Sequence, residues 1–241
     1  MKKSRKILLI ILMLVLILAT IAFIGFSPVL SMNPVETGQI PDTDIIAVKN
    51  NRNSLFFIPV NDGYIAIDAG SEADKIEESM AQIDIDTKQV KYVLLTHTDY
   101  DHVAALAKFT DAQIYMSQKE LQMLDGKTKR NIFSRNSLPA NISLDSLILL
   151  SDGEEMDVGG RMITCIETPG HTVGSMSYLI DEKYLFTGDA FKVDDGAKNI
   201  HPFTMDKITA RSSIEKIAHT IGESQLVFTA HYGYFNARLL K

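Results

Sequence analysis

Hydrophobic and polar positions divide this chain into one long apolar run followed by a series of short alternating ones. Residues 7–26 carry no charge, and only Thr20 and Gly25 interrupt their aliphatic and aromatic character. A helix of that length rises about 30 Å, the thickness of a bilayer core. Beyond it the pattern changes to half-buried strands at 45–49, 55–60 and 64–68, with Asn61-Asp62-Gly63 predicting a tight hairpin turn between the last two. Residues 71–83 read as a helix, with Ser71 as cap and Ala73, Ile76, Met80 and Ile83 forming an apolar face. A buried strand follows at 92–95, a short helix from 101 to 109, a strand at 113–116 and a short helix at 118–124. Further strands are expected at 147–150, 161–167, 175–180 and 184–187. A helix at 206–221 and a strand at 226–229 close the series. Strands and helices in this order predict two α/β halves, packed as two mixed sheets face to face with helices outside.

Composition sharpens this picture at the N-terminus. Lys2, Lys3, Arg5 and Lys6 precede the apolar run, and a positive flank stays cytoplasmic while the following segment crosses. The run is long for a signal sequence, and no Ala-x-Ala site follows it. The expected organisation is therefore a basic cytoplasmic flank (1–6), a transmembrane anchor (7–26), a Pro- and Gly-bearing linker (27–42) and one extracytoplasmic domain (43–241). The chain is acidic, at −6, and more so without its four N-terminal basic residues. That argues against a nucleic-acid partner. The lone Cys165 excludes an intrachain disulfide and sits in a strand-like run, where a buried structural thiol is expected.

The chemistry concentrates after the strand at 92–95. Thr96-His97-Thr98-Asp99-Tyr100-Asp101-His102 places four candidate metal ligands within six residues. They cannot all face one way along a strand, so a loop at its C-terminal end is required. Three further candidates follow: His171 after Pro169-Gly170, Asp189 after Gly188, and His231 before Gly233. Imidazoles mixed with carboxylates suit Zn²⁺, Mn²⁺ or Fe²⁺.

These motifs resemble the metallo-β-lactamase-fold hydrolase superfamily over roughly residues 44–233. The matching segments are Ala66-Ile67-Asp68-Ala69-Gly70, His97 to His102, Thr168-Pro169-Gly170-His171-Thr172-Val173-Gly174-Ser175, Leu185-Phe186-Thr187-Gly188-Asp189 and Ala230-His231-Tyr232-Gly233. The resemblance implies an α+β fold, the four-layer αβ/βα sandwich, with a metal site on the edge where both sheets end. It implies two divalent metal ions, one held by His97, Asp99 and His171 and the other by Asp101, His102 and His231, with Asp189 bridging and Asp68 supporting the loops. One departure stands out. The family motif is His-x-His-x-Asp-His, and this chain has Asp99 where the second His stands. Zinc is the first expectation; an acidic residue at 99 keeps iron or manganese open.

The implied activity is a membrane-anchored hydrolase in which metal-activated water attacks an ester, lactone, amide or phosphoester of a small-molecule substrate. Asp101 is its expected catalytic group, orienting the water or accepting its proton. A non-catalytic metal- or ligand-binding module and an iron-dependent redox enzyme are the alternatives on the same scaffold. With ten residues after His231, the helical substrate domain of glutathione-thioester hydrolases is not expected. In the loop 125–141, Lys127, Lys129, Arg130 and Arg135 are expected to be solvated or to meet an anionic substrate group. His201 is expected as a surface or packed histidine, with a spare acid role as the lesser reading, and His219 as an end-of-helix residue.

Overall fold

The computed structural model describes residues 2–130, 136–194, 197–222 and 225–240, so Arg135 of the basic loop lies outside the described residues. The chain forms two units, residues 1–32 and 33–241. The first is the helix α1 (Lys2–Leu30), which continues through Pro28 beyond the expected anchor. Over Ile10–Leu30 it is long and apolar enough to cross a membrane.

In the second unit, seven strands form the first sheet in sequential order: β1 (Gly38–Gln39), β2 (Ile46–Asn50), β3 (Asn53–Val60), β4 (Gly63–Ile67), β5 (Val90–Leu94), β6 (Gln113–Ser117) and β7 (Leu147–Leu150). The first four pair antiparallel, and β4 to β7 run parallel. The second sheet, from one edge to the other, is β15 (Tyr234–Asn236), β14 (Leu226–Phe228), β11 (Tyr184–Phe186), β10 (Met176–Ile180), β9 (Arg161–Glu167) and β8 (Glu155–Val158). Here β11 and β14 are parallel and the other pairs antiparallel. A small ribbon of β12 (Lys192–Asp194) and β13 (Ala197–Asn199) stands apart.

Side-chain alternation explains the layering. In β3, Phe56 and Ile58 join the core shared with the second sheet, whereas Leu55 and Phe57 face the core under the helix α2 (Ile76–Ala81). In β9, Ile163 and Cys165 point into the shared core and Ile166 faces the helix α5 (Lys207–Thr220). Three apolar layers therefore separate helices, sheet, sheet and helix: the αβ/βα sandwich. Phe56 fixes the sheets together, with its ring centroid 5.4 Å from Phe186 and 5.2 Å from Phe228. Each such fully buried ring contributes about 1.5–3 kcal/mol. Cys165 is buried in the same layer, and burial pushes its thiol up to about 12, which makes it a packing residue.

Several local expectations needed tertiary context. The helix expected at 71–83 shrinks to Ile76–Ala81, and Ser71 does not cap it. Instead Asn50 Oδ1 accepts the backbone N–H groups of Ser71 (2.8 Å) and Glu72 (2.7 Å), holding the segment in a turn. The helix expected from 101 to 109 splits into α3 (Tyr100–Val103) and a single 3₁₀ turn at Leu106–Lys108. The break arises because the Ala105 N–H bonds to the Ala69 carbonyl rather than along the helix. The segment expected as a linker contributes β1 and the buried Ile40. The short strands β8, β12, β13 and β15 escape the hydrophobic pattern because polar residues such as Glu155, Asp157, Lys192, Asp194, Lys198 and Asn236 interrupt them, whereas the equally short β7, β11 and β14 are continuous runs of aliphatic and aromatic residues.

Candidate metal centre

Strands β4 and β5 run parallel in the first sheet, and β9, β11 and β14 share a direction in the second; the residues following all five gather along one edge of the sandwich. Asp68 follows β4, His97 follows β5, His171 follows β9, Asp189 follows β11 and His231 follows β14. The separation of these residues in sequence disappears in the fold because every one leaves its sheet at the same end.

Asp68 is the anchor of the edge. It is buried, with a positive φ of 62°. Its Oδ1 accepts the Thr96 N–H at 2.7 Å, and its Oδ2 accepts the Thr96 hydroxyl at 2.8 Å and lies 2.8 Å from His102 Nδ1. Because the Thr96 proton goes to Asp68, Thr96 Oγ1 is left to accept from His97 Nδ1 at 3.0 Å. One carboxylate thus sets the tautomer of two imidazoles and turns both Nε2 atoms inward. His231 is set independently: its Nδ1 donates to the Arg52 carbonyl at 2.7 Å. The Asn53 side-chain amide meets the backbone carbonyl of Asp101, so the β2–β3 turn braces both His231 and Asp101.

Asp189 is the hub. The Nε2 atoms of His171, His231, His201 and His102 lie 3.3, 3.3, 3.5 and 3.7 Å from its Oδ2. Its position needs Gly188, whose φ is +52° and where a Cβ would meet Thr96 Oγ1 at 2.3 Å. Toward one side, Asp99 Oδ2 lies 3.4 Å from His97 Nε2 and 3.1 Å from His171 Nε2. Toward the other, Asp101 Oδ2 lies 3.4 Å from His231 Nε2 and 3.9 Å from His102 Nε2. The donor groups that could hold an ion are His97–Asp99–His171, Asp101–His102–His231, His97–His102–Asp189 and His171–Asp189–His201.

The electrostatics suit a cation. Burial disfavours the Asp189 carboxylate, yet the surrounding imidazoles hold it well below the usual range. Asp101 is also held down against burial, by His102 and by its hydrogen bond to His231. Asp99 is held well below normal against its own burial by the neighbouring His171 and His97 rings and by Arg130. Burial lowers His171 to about 4, whereas Asp189 and Asp101 overcome burial at His231 and raise it to about 10. The test of fit is polar satisfaction. The Nε2 atoms of His97 and His102 and the Oδ1 of Asp189 are buried without a hydrogen-bond partner among the described residues. Orphaned buried donors and acceptors are costly, and imidazole nitrogens converging with carboxylates are what a divalent transition metal satisfies.

All seven residues expected as ligands meet at this edge. Three others join them: Glu120, which the sequence did not single out, and His201 and Arg130, which it offered only as a spare acid and as one of several contacts for an anionic substrate group. His201 is 1% exposed and packs edge-on against His171, with ring centroids 4.7 Å apart. Arg130, one residue of the basic loop, forks onto Asp99 through Nε (2.8 Å) and Nη2, donates to His171 Nε2 at 2.7 Å, and reaches the Phe203 carbonyl at 2.6 Å. Glu120 is fully buried and accepts from the Thr98 N–H and hydroxyl, the Thr172 hydroxyl and the Gly174 N–H, at 2.7–3.1 Å. It clamps the His97 loop to the His171 loop. The sequence gives it no distinguishing signal, since Glu120 sits beside Lys119 in a short mixture of polar and apolar residues just before the helix α4 (Leu121–Leu124). Tyr100 points to solvent, Tyr232 packs on His201 and His231, and Tyr234 stacks on Phe228. His219 bonds the Glu215 carbonyl on the exposed face of α5.

Comparison with known proteins agrees with this geometry. The chain is 36% identical over 128 residues to a probable polyketide biosynthesis zinc-dependent hydrolase, BaeB, of Bacillus velezensis, covering 52% of this chain and 48% of that protein. It is 29% identical over 177 residues to the corresponding PksB of Bacillus subtilis, covering 69% and 66%. The chain thus spans about half to two thirds of the length of these relatives. Among solved structures, an archaeal metallo-β-lactamase superfamily protein, ST1585 from Sulfolobus tokodaii, superposes with a TM-score of 0.61 at 21% identity, covering 83% and 84%. A B3 metallo-β-lactamase with an active-site glutamic acid gives 0.65 at 20%, covering 87% and 89%. These two likenesses speak to the fold. The sequence model of the metallo-beta-lactamase superfamily matches residues 49–220, and the chain belongs to that superfamily.

Proposed function

We propose that this protein is a membrane-anchored hydrolase with a dinuclear centre, zinc first, that cleaves an ester, lactone, amide or phosphoester bond in a small molecule. The carrying observation is the convergence of His97, His102, His171, His231, Asp99, Asp101 and Asp189 on one edge, with buried imidazole nitrogens left for an ion to satisfy. The zinc-dependent hydrolase names of the two Bacillus relatives support the same reading. A bound divalent metal supplies a water of low pKa and an electrophilic centre.

The protein's own groups do the rest. Asp101 is part-exposed beside His231 and is deprotonated at neutral pH by the charges around it. It orients the attacking water and takes its proton on Oδ2. Asp68 keeps the Nε2 atoms of His97 and His102 inward, so no reorganisation is needed when substrate arrives. Arg130 pairs with Asp99 at the corner of the site and offsets its charge there. α1 serves as the anchor, with the basic flank cytoplasmic and the hydrolytic edge outside.

The test is a panel of chromogenic esters, lactones and phosphodiesters assayed with the zinc-loaded full-length chain, the chelated chain and Asp101→Asn. Zinc-dependent turnover that falls by about 100-fold or more in Asp101→Asn is expected. Turnover indifferent to chelation overturns the metal-hydrolase reading. Carbonate-resistant membrane association, with the domain open to external protease in intact cells, checks the topology.

A further inference from the structure

The catalytic reading gives no task to His201, although the fold goes to some length to bury it. The residue follows β13 in Asn199-Ile200-His201-Pro202, and its ring lies among His171, His231, Tyr232 and Phe203. It is 1% exposed, and neither Nδ1 nor Nε2 has a hydrogen-bond partner among the described residues. A polar group buried in that way is expensive unless something else meets it. Its Nε2 is 3.5 Å from Asp189 Oδ2. The donor atoms of His171, Asp189 and His201 all lie within 4.8 Å of one another, a spacing that lets three donors share one ion.

At the same corner the carboxylate of Asp99 is already engaged. Its Oδ1 accepts from Arg130 Nε at 2.8 Å and from Asn136 Nδ2 at 2.9 Å, and its Oδ2 pairs with Arg130 Nη2. A forked guanidinium is a strong partner for a carboxylate. With Asn136 it offsets the charge and takes three of the carboxylate's roughly four lone-pair sites; the same Nη2 donates to His171 Nε2 at 2.7 Å, a contact that an incoming ion would displace. Asp99 and His201 therefore differ sharply: one is held by three hydrogen bonds from the protein, and the other has neither nitrogen hydrogen-bonded among the described residues.

We propose that His201 is a metal ligand in this chain, supplying an imidazole to the ion held by His171 and Asp189 on the His97 side, while Asp99 anchors Arg130 instead of ligating. The inference rests on the metal-centre part of the functional reading and not on any substrate. It also gives the departure at 99 a physical sense. The imidazole absent from the 97–102 loop is returned by a separate loop, which keeps the site rich in nitrogen and suited to zinc.

The experiment is a Co²⁺ titration of the metal-free full-length chain in detergent, followed by its visible spectrum, with metal content after zinc loading measured in parallel. Wild type is compared with His201→Ala, His201→Gln and Asp99→Asn. The expected result is loss of about one of two ions, or at least about 100-fold weaker binding of that ion, in both His201 variants, with an altered Co²⁺ spectrum. Asp99→Asn should keep both ions. Full stoichiometry and an unchanged spectrum in His201→Gln overturn the proposal, as does loss of the ion in Asp99→Asn alone. Far-UV circular dichroism of the metal-free variants reports folding, and His201→Gln, close to His in volume, decides the matter if the alanine variant does not fold. No substrate enters the measurement. A wild type that binds metal but hydrolyses nothing refutes the hydrolase reading and leaves this test standing, whereas a wild type that binds no metal overturns both.

Discussion

The two corners of the metal centre are built to different standards of fixity. At the Asp101–His102–His231 corner each imidazole has its Nδ1 committed, His102 to Asp68 and His231 to the Arg52 carbonyl. Both Nε2 atoms then face inward with no freedom of tautomer. At the other corner only His97 is set this way, through Thr96. The Nδ1 of His171 has no partner among the described residues, its Nε2 is met by Arg130, and Asp99 is held by the same guanidinium. The first corner holds its donors already turned inward. At the second, an ion would have to displace the guanidinium from His171. The difference teaches that ligand identity alone does not make equivalent sites; the hydrogen bonds behind the ligands decide which is preorganised.

Asp189 belongs to both corners, and its loss should erase the difference between them. Asp189→Asn is expected to weaken retention of both ions by more than about 100-fold, beyond the effect of outer contacts, while circular dichroism stays native. Full metal occupancy with unchanged activity in that variant would remove the bridging assignment. Asp68→Asn should separate the corners. It leaves His102 without its carboxylate partner and reaches His97 only through Thr96, so metal affinity should fall by about 10- to 100-fold, chiefly at the His102 corner. Equal losses in both steps of a Co²⁺ titration would break the comparison.

Glu120 is the brace of the less fixed corner, and its effect should appear in stability. Glu120→Gln keeps the shape but loses acceptor capacity for four donors. We expect a cost of about 1–3 kcal/mol, read as a melting temperature lowered by roughly 2–4 °C per kcal/mol. An unchanged melting temperature would show that the loops are held elsewhere. The smallest effect belongs to Arg130→Ala. Freed from the guanidinium, the Nε2 of His171 should take up the His97-side ion up to about tenfold more tightly, with the Asp101 corner unmoved. Weaker binding there would mean that Arg130 organises the corner rather than competing for it.

Much of this site was legible in the sequence because its motifs are local. His97 to His102 lie on one loop, and His171, Asp189 and His231 each carry a glycine beside them that marks a sharp turn. The long strands were legible for the same reason: alternation over five or more residues records a buried and an open face. His201, Glu120 and Arg130 were not legible in that way. His201 lies beside a proline in a loop, Glu120 in a short polar-apolar mixture, and Arg130 among other basic residues of an acidic protein. What distinguishes each is its neighbours in space, most of them 30 or more residues away in the chain: His171 and the nearer Asp189 for His201, Thr172 and Gly174 for Glu120, Asp99 and Phe203 for Arg130. The helix expected at 71–83 failed for a related reason, since Asn50 supplied a hydrogen-bonding partner from a distant turn that outcompeted the local cap.

The sequence by itself determined the layered α+β architecture, the apolar N-terminal helix and the residue types available for metal chemistry, because periodicity and short motifs are written along the chain. Only the tertiary structure decided which of those residues share a corner, which carboxylate is claimed by an arginine and which histidine is buried with unmet nitrogens. Hydrogen-bond satisfaction and burial are properties of neighbours in space, and the strands that deliver those neighbours to one edge are far apart in the chain.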